Sequence, residues 1–162
     1  MSEGLFEPVS VDELPTQLPM FPLPGATLLP GTQLPLNIFE PRYVSMVLDA
    51  LAGARMIGMI QPEAGVLESD NPVLYGVGCA GRIVSFAESR DGRLLITLRG
   101  VCRYRTATEL PLLRGYRRFV PVWAGFAADL EPATHLEHTI DELKAALGDY
   151  LRAKEIRVDW DG

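Results

Sequence analysis

Between Arg82 and Arg99 the chain reads as two alternating runs joined by a tight turn, a pattern that commits this stretch to antiparallel β-structure. The runs Arg82–Glu88 and Arg93–Arg99 flank Ser89-Arg90-Asp91-Gly92. An Asp-Gly pair in that setting marks a hairpin, because glycine accepts the positive φ that such turns demand. In the second arm Leu94, Ile96 and Leu98 point one way, and Arg93, Leu95, Thr97 and Arg99 point the other. Gly100 is expected to break this ladder and Val101–Thr106 to resume it. Tyr116–Trp123 predicts one more strand, interrupted at Pro121.

The amino-terminal part is shaped by proline. Eight of the thirteen prolines fall in the first 41 residues. Pro19 and Pro22 have the PxxP spacing of a polyproline ligand. The alternative has more support, because Leu18, Met20, Phe21, Leu23, Leu28 and Leu29 carry too much apolar surface for a solvated linker. Prolines among them are expected at strand ends and edges, where a missing N–H does little harm. Thr32–Phe39 predicts a strand, with Leu34, Leu36 and Ile38 alternating against Gln33, Pro35 and Asn37. Glu40-Pro41 then starts a helix, with proline at its favoured first position. Tyr43, Met46, Val47, Ala50 and Leu51 form its apolar face, and Gly53 stops it. Met56–Ile60 predicts a short buried strand, and Gln61–Pro72 a polar loop.

After Gly125 the composition changes. Thr134-x-x-Glu137 is a capping box that opens a helix. Leu136, Ile140, Leu143, Leu147 and Tyr150 give that helix an apolar seam. The seam leaves three covers open: the β-rich part, a partner (a second copy of the chain included), or helices beyond residue 162. The expected organisation is an acidic flexible leader at 1–16, a β-domain at 17–124 and a helical segment at 125–162.

At 162 residues one domain with an appendage can bury a sufficient core without disulfides or metal. The formal net charge of −6 speaks against a general polyanion binder. That average hides a split: residues 82–118 hold nine arginines against three acids, and the remainder is strongly acidic. No positive n-region, Arg-rich transit sequence or apolar run of roughly 18–20 residues is present. Cys79 and Cys102 lie 23 apart without a CxxC partner, as buried thiols of a reducing cytoplasm do.

Each candidate site has a structural role as its rival. His135 and His138 share an i, i+3 spacing that could serve a metal, but they sit among acids at a solvated helix start. Neither cysteine has a nearby activating group, so a Cys–His pair is not expected. The corner at Phe39, Glu40, Arg42 and Tyr43 either presents Arg42 and Tyr43 to a peptide or is architectural. Leu113–Phe119 interleaves bases with aromatics, as single-stranded nucleic acid favours. Arg117 and Arg118 are adjacent on a strand, however, and therefore face opposite sides, which favours pairing within the chain.

Several of these pieces together resemble one family. Leu18-Pro19-Met20-Phe21-Pro22-Leu23, Leu29-Pro30-Gly31 and Leu34-Pro35-Leu36-Asn37-Ile38-Phe39-Glu40-Pro41-Arg42-Tyr43 resemble the opening of the Lon protease N-terminal domain. The match continues through Gly76-Val77-Gly78-Cys79-Ala80-Gly81-Arg82-Ile83, Asp91-Gly92-Arg93 and Gly100-Val101-Cys102-Arg103-Tyr104-Arg105. The resemblance implies an α+β, mainly β fold, a PUA-like pseudo-barrel holding one helix, followed by a helical part. It also implies recognition of protein substrates, in a stand-alone member that usually has a longer tail. No GxxxxGK[ST] occurs, and Lys144 and Lys154, the only lysines, do not suggest a Ser–Lys dyad. The chain is therefore expected to be a cytoplasmic, non-enzymatic protein-interaction domain without cofactors. Phe39, Arg42, Tyr43, Tyr116, Arg117 and Phe119 are the expected protein-binding residues, polypeptides the expected partners, and an RNA-binding PUA-like module the alternative.

Overall fold

The computed structural model describes residues 10–63, 71–131 and 137–154, with side chains of the last stretch from 141 onward. In order it shows β1 (Leu18–Pro22), β2 (Gln33–Ile38), α1 (Pro41–Ala52), β3 (Met56–Ile60), β4 (Val77–Glu88), β5 (Leu94–Leu113), β6 (Tyr116–Val122) and α2 (Glu137–Ala153). Short 3-10 turns lie at Val11–Glu13 and Ala127–Leu130. The chain divides into two compact units, residues 1–131 and 132–162. α2 belongs to the second unit; Leu143, Leu147 and Tyr150 recur along it at helical spacing. Thr134, His135 and Leu136, the end of the chain from 155 and the first nine residues lie outside the described residues, as does the His138 side chain. No helix among the described residues is long and apolar enough to cross a membrane.

The mainly β, α+β expectation is met. The sheet runs β2-β5-β4-β3-β1-β6, and β5 also pairs with β6. Five strands thus close on themselves, and β2 is left on the outside. Closure depends on β5, whose 20 residues serve three neighbours. Its first part pairs with β2 and β4, and its last part with β6. β1 and β3 are the parallel pair.

Two cores follow from the alternation. Leu18 and Met20 of β1, Met56 and Ile60 of β3, Ala80 of β4, Cys102 and Tyr104 of β5 and Phe119 of β6 fill the inside of the closed sheet. Ile57 and Met59 point the other way and meet α1 through Met46, Val47 and Ala50. That is why Met56–Ile60 is buried at every position. α1 starts at Pro41 as expected, but Glu40 gives it no side-chain cap and pairs with Arg42 instead.

Prolines sit where pairing is one-sided. At Pro19 β1 pairs with β6 alone, and at Pro22 with β3 alone; both neighbours meet only at Met20. Two expectations are corrected. Gly100 does not break β5: the pairing steps from Ala80↔Cys102 to Gly81↔Gly100, so Val101 is the bulged residue. Pro121 does not interrupt β6, which runs through it opposite Thr106 at the sheet margin.

The Ala127–Leu130 turn packs on the interior cluster through Phe126 and Leu130. Asp129 accepts from the Arg103 backbone N–H and Nε, both at 2.9 Å, and from Nη2 at 2.7 Å. Its carboxylate is only 8% exposed. The hydrogen bonds from Arg103 hold its carboxyl below the usual range. A depressed folded-state value means that the stabilisation is complete above the unfolded value near pH 4 and is lost as pH falls through the folded one. Asp129→Asn is therefore expected to lower Tm at neutral pH and to flatten its decline between about pH 5 and about pH 2. Scanning calorimetry of both proteins across that range is the check; parallel profiles would show that Asp129 carries no acid-linked stability.

A proline-lined groove beside an aromatic corner

α1 is entered through a sharp corner at the end of β2, and this corner makes one wall of a groove. Its lining comes from the end of β1 and the adjoining turn (21–24), from β2 and the corner (35–40, 42 and 43), and from Pro62 and Pro72. The cavity volume is about 390 Å³. Five of the lining residues, Pro22, Pro24, Pro35, Pro62 and Pro72, are prolines. Three are aromatic: Phe21, Phe39 and Tyr43.

The rings are fixed by packing. Phe21 and Tyr43 lie 4.4 Å apart between centroids and are tilted by 46°. Tyr43 is buried, whereas Phe39 leaves 63% of its surface exposed. The charges at the rim are paired. Arg42 Nη2 lies 3.1 Å from Glu40 Oε2, and the Arg42 guanidinium sits 4.7 Å from the Tyr43 ring centroid. Arg93 Nε lies 2.8 Å from Asp91 Oδ2, with its guanidinium 5.6 Å from the Phe39 centroid. Such placements pair the rim charges and put a cation over one face of each ring.

Two residues shape the walls from behind. Gln61 Nε2 donates to the carbonyls of Leu23, at 3.0 Å, and Ala26. The Gly25 N–H donates back to Gln61 Oε1 at 3.1 Å. One side-chain amide thereby braces the turn that carries Leu23 and Pro24. Arg117 Nη1 donates to the Pro72 carbonyl at 2.7 Å and so fixes the opposite wall. By sequence Gln61 belongs to a polar loop; no local signal ties it to a turn 36 residues earlier.

The six residues expected to bind protein fall into two groups. Phe39, Arg42 and Tyr43 line the groove. Tyr116, Arg117 and Phe119 are used internally. The Tyr116 hydroxyl donates to Asp49 Oδ2 at 2.9 Å. Burial first, and then this bond, push its pKa up to about 12. Phe119 belongs to the interior of the closed sheet. Arg117 pairs with Glu109 through Nε at 2.7 Å and Nη2 at 3.0 Å. Arg118 reaches Gln17 Oε1 at 3.3 Å and the Pro111 carbonyl at 3.1 Å.

The arginine-rich stretch is dispersed in the same way. Arg93, Arg103, Arg114 and Arg117 pair with Asp91, Asp129, Asp49 and Glu109. Arg82 faces Arg99 across the β4–β5 pair, whereas Arg103 lies opposite Cys79. Positions 79 and 82 fall on opposite faces of β4, so these arginines do not share one face. Both thiols are buried, and burial pushes Cys79 up to about 12 and Cys102 up to about 11. At neutral pH neither is a thiolate, the form a nucleophile requires. Among the described residues no group of three or more His, Cys, Asp or Glu could hold a metal.

Comparisons with known proteins agree on one family. The model of the ATP-dependent protease La (LON) substrate-binding domain matches residues 17–156. A Lon N-terminal domain protein of Xanthomonas campestris superposes with a TM-score of 0.60 at 30% identity, covering 82% of this chain and 73% of that one. The N-terminal domain of a Mycobacterium avium complex Lon protease superposes with a TM-score of 0.58 at 15% identity, covering 86% and 69%, a likeness of fold alone. The Lon protease of Desulfosudis oleivorans is 28% identical over 103 residues, 60% of this chain but 12% of that protein. The matched part of the chain thus spans about one-eighth of such a protease.

Proposed function

The chain belongs to the Lon protease substrate-binding domain family, and from that premise we propose that it captures exposed apolar segments of polypeptides in the groove between β1, β2 and the α1 corner. Family membership supports a substrate-binding role. The observation that carries the finer reading is the groove itself, an apolar channel with an exposed Phe39 at its rim and its charges paired. Burying a phenylalanine-sized side chain contributes about 1.5–3 kcal/mol, enough for useful affinity from one or two anchors. Phe39, Arg42 and Tyr43 are the proposed contact residues. Phe39 would meet the ligand directly, and Arg42 and Tyr43 would form the wall behind it.

The test is binding of a carboxymethylated, permanently unfolded model protein. Phe39→Ser is expected to weaken that binding by about tenfold or more. Because Phe39 is largely exposed, its Tm should stay near that of the parent. Raising salt from about 50 to about 500 mM should change affinity little, since no net charge is being neutralised. Unchanged binding in the Phe39→Ser protein would remove the groove from consideration. Binding of structured RNA with a steep salt dependence would favour the nucleic-acid alternative. The dispersal of the arginines and the acid partners of four of them weigh against that alternative.

A further inference from the structure

The rim of the groove is also the outer edge of β2, and the direction of each backbone group along it can be worked out. The Gly100 N–H donates to the Thr32 carbonyl at 2.8 Å, so Thr32 faces β5. Successive residues of a strand turn their backbone groups to opposite sides. Leu34, Leu36 and Ile38 therefore also face β5, and Gln33, Pro35 and Asn37 face outward. Among the described residues β2 has no second neighbour in the sheet. The middle outward position is Pro35, which has a carbonyl but no N–H. A strand laid along this edge would meet donors at Gln33 and Asn37 and none between them. Proline on an exposed edge is one means by which proteins prevent unwanted strand pairing. The other four prolines of the groove likewise offer no amide hydrogen.

Resting on the reading of the groove as a polypeptide site, we propose that Pro35 blocks strand addition at β2, so that the groove takes its polypeptide by burying side chains and not by extending the sheet. The occupant is an uncharged apolar segment. Glu40 and Arg42, and Asp91 and Arg93, already pair with each other. The rings of Tyr43 and Phe39 each already carry one guanidinium over a face. A segment held in this way needs no main-chain donors of its own, so it need not be extended along its whole length.

The experiment compares two acetylated, amidated nonapeptides, Gly-Ser-Gly-Leu-Phe-Leu-Gly-Ser-Gly and the same peptide N-methylated at phenylalanine and the following leucine. Methylating adjacent amides removes a donor from whichever edge the peptide presents. Calorimetry on the full chain is expected to give dissociation constants within about threefold of each other, whereas a main-chain ladder would penalise the methylated peptide by about tenfold or more. Pro35→Val restores the missing N–H with a good strand former. It is expected to strengthen the unmodified peptide by about fivefold and to leave the methylated one unchanged. Strong discrimination against the methylated peptide by the parent protein overturns the block while leaving the groove as the binding site. Absence of binding by both peptides overturns the groove reading and this inference together.

Discussion

Gly100→Ala is expected to destabilise the chain by about 3 kcal/mol or more, and to lower Tm by about 6–12 °C. A Cβ at this position would lie 2.0 Å from the Leu29 carbonyl oxygen and 2.7 Å from its carbon. Those atoms are backbone, and they cannot rotate away as a side chain would. They are also tied down on both sides. Gly31 N–H donates to the Gly100 carbonyl at 2.9 Å, and Gly100 N–H to Thr32 at 2.8 Å. The loop from Leu29 to Thr32 therefore crosses β5 at the one residue without a side chain, next to the Val101 bulge. Because that loop leads directly into β2, the substitution should disturb the groove wall as well. Gly76→Ala is the control: nothing lies within 4 Å of its Cβ. It should leave Tm nearly unchanged. A Gly100→Ala protein that melts with the control would show that the crossing is loose.

The second large effect is expected inside the closed sheet. Tyr104 is fully buried, and its hydroxyl donates to the Met59 carbonyl at 3.0 Å. It fits because Gly58 and Gly78 have no side chains. A Cβ on Gly78 would lie 2.3 Å from Tyr104 Oη, 2.4 Å from the Met59 carbonyl and 2.6 Å from Tyr104 Cζ. Gly78→Ala should cost about 3 kcal/mol or more. Tyr104→Phe removes the hydroxyl and its hydrogen bond to the Met59 carbonyl, a loss of about 0.5–1.5 kcal/mol. The double variant should be less damaged than the two losses combined, by about 1 kcal/mol, since the hydroxyl that meets the new methyl is gone. Relief is incomplete because the Met59 carbonyl and the ring carbon remain. Urea unfolding of the four proteins measures this coupling, and strict additivity would sink the steric explanation.

Much of this fold was legible from spacing. The Asp91-Gly92 hairpin, the apolar face of α1 and the uniformly buried Met56–Ile60 are local patterns, and each element formed where its pattern lies. Gly100 is not a weakness of the ladder. Its bare Cα instead admits a backbone from about 70 residues earlier. The candidate site was half legible. Phe39, Arg42 and Tyr43 lie together because they are close in sequence around one corner. Tyr116, Arg117 and Phe119 have the same composition but point toward Asp49, Glu109 and the interior. Gln61 was not legible at all, since its partners are set by the parallel pairing of β1 with β3.

The sequence alone determined which residues turn inward, because apolar periodicity is a property of consecutive positions. It also determined where proline forbids a backbone donor. The tertiary structure decided which strands become neighbours, and that β5 is long enough to serve three of them and close the sheet. From that closure come the positions that must be glycine, the arginines that meet acids, and the outer edge of β2 beside the groove. These depend on groups brought together from distant parts of the chain, and periodicity along the chain says nothing about what it will face.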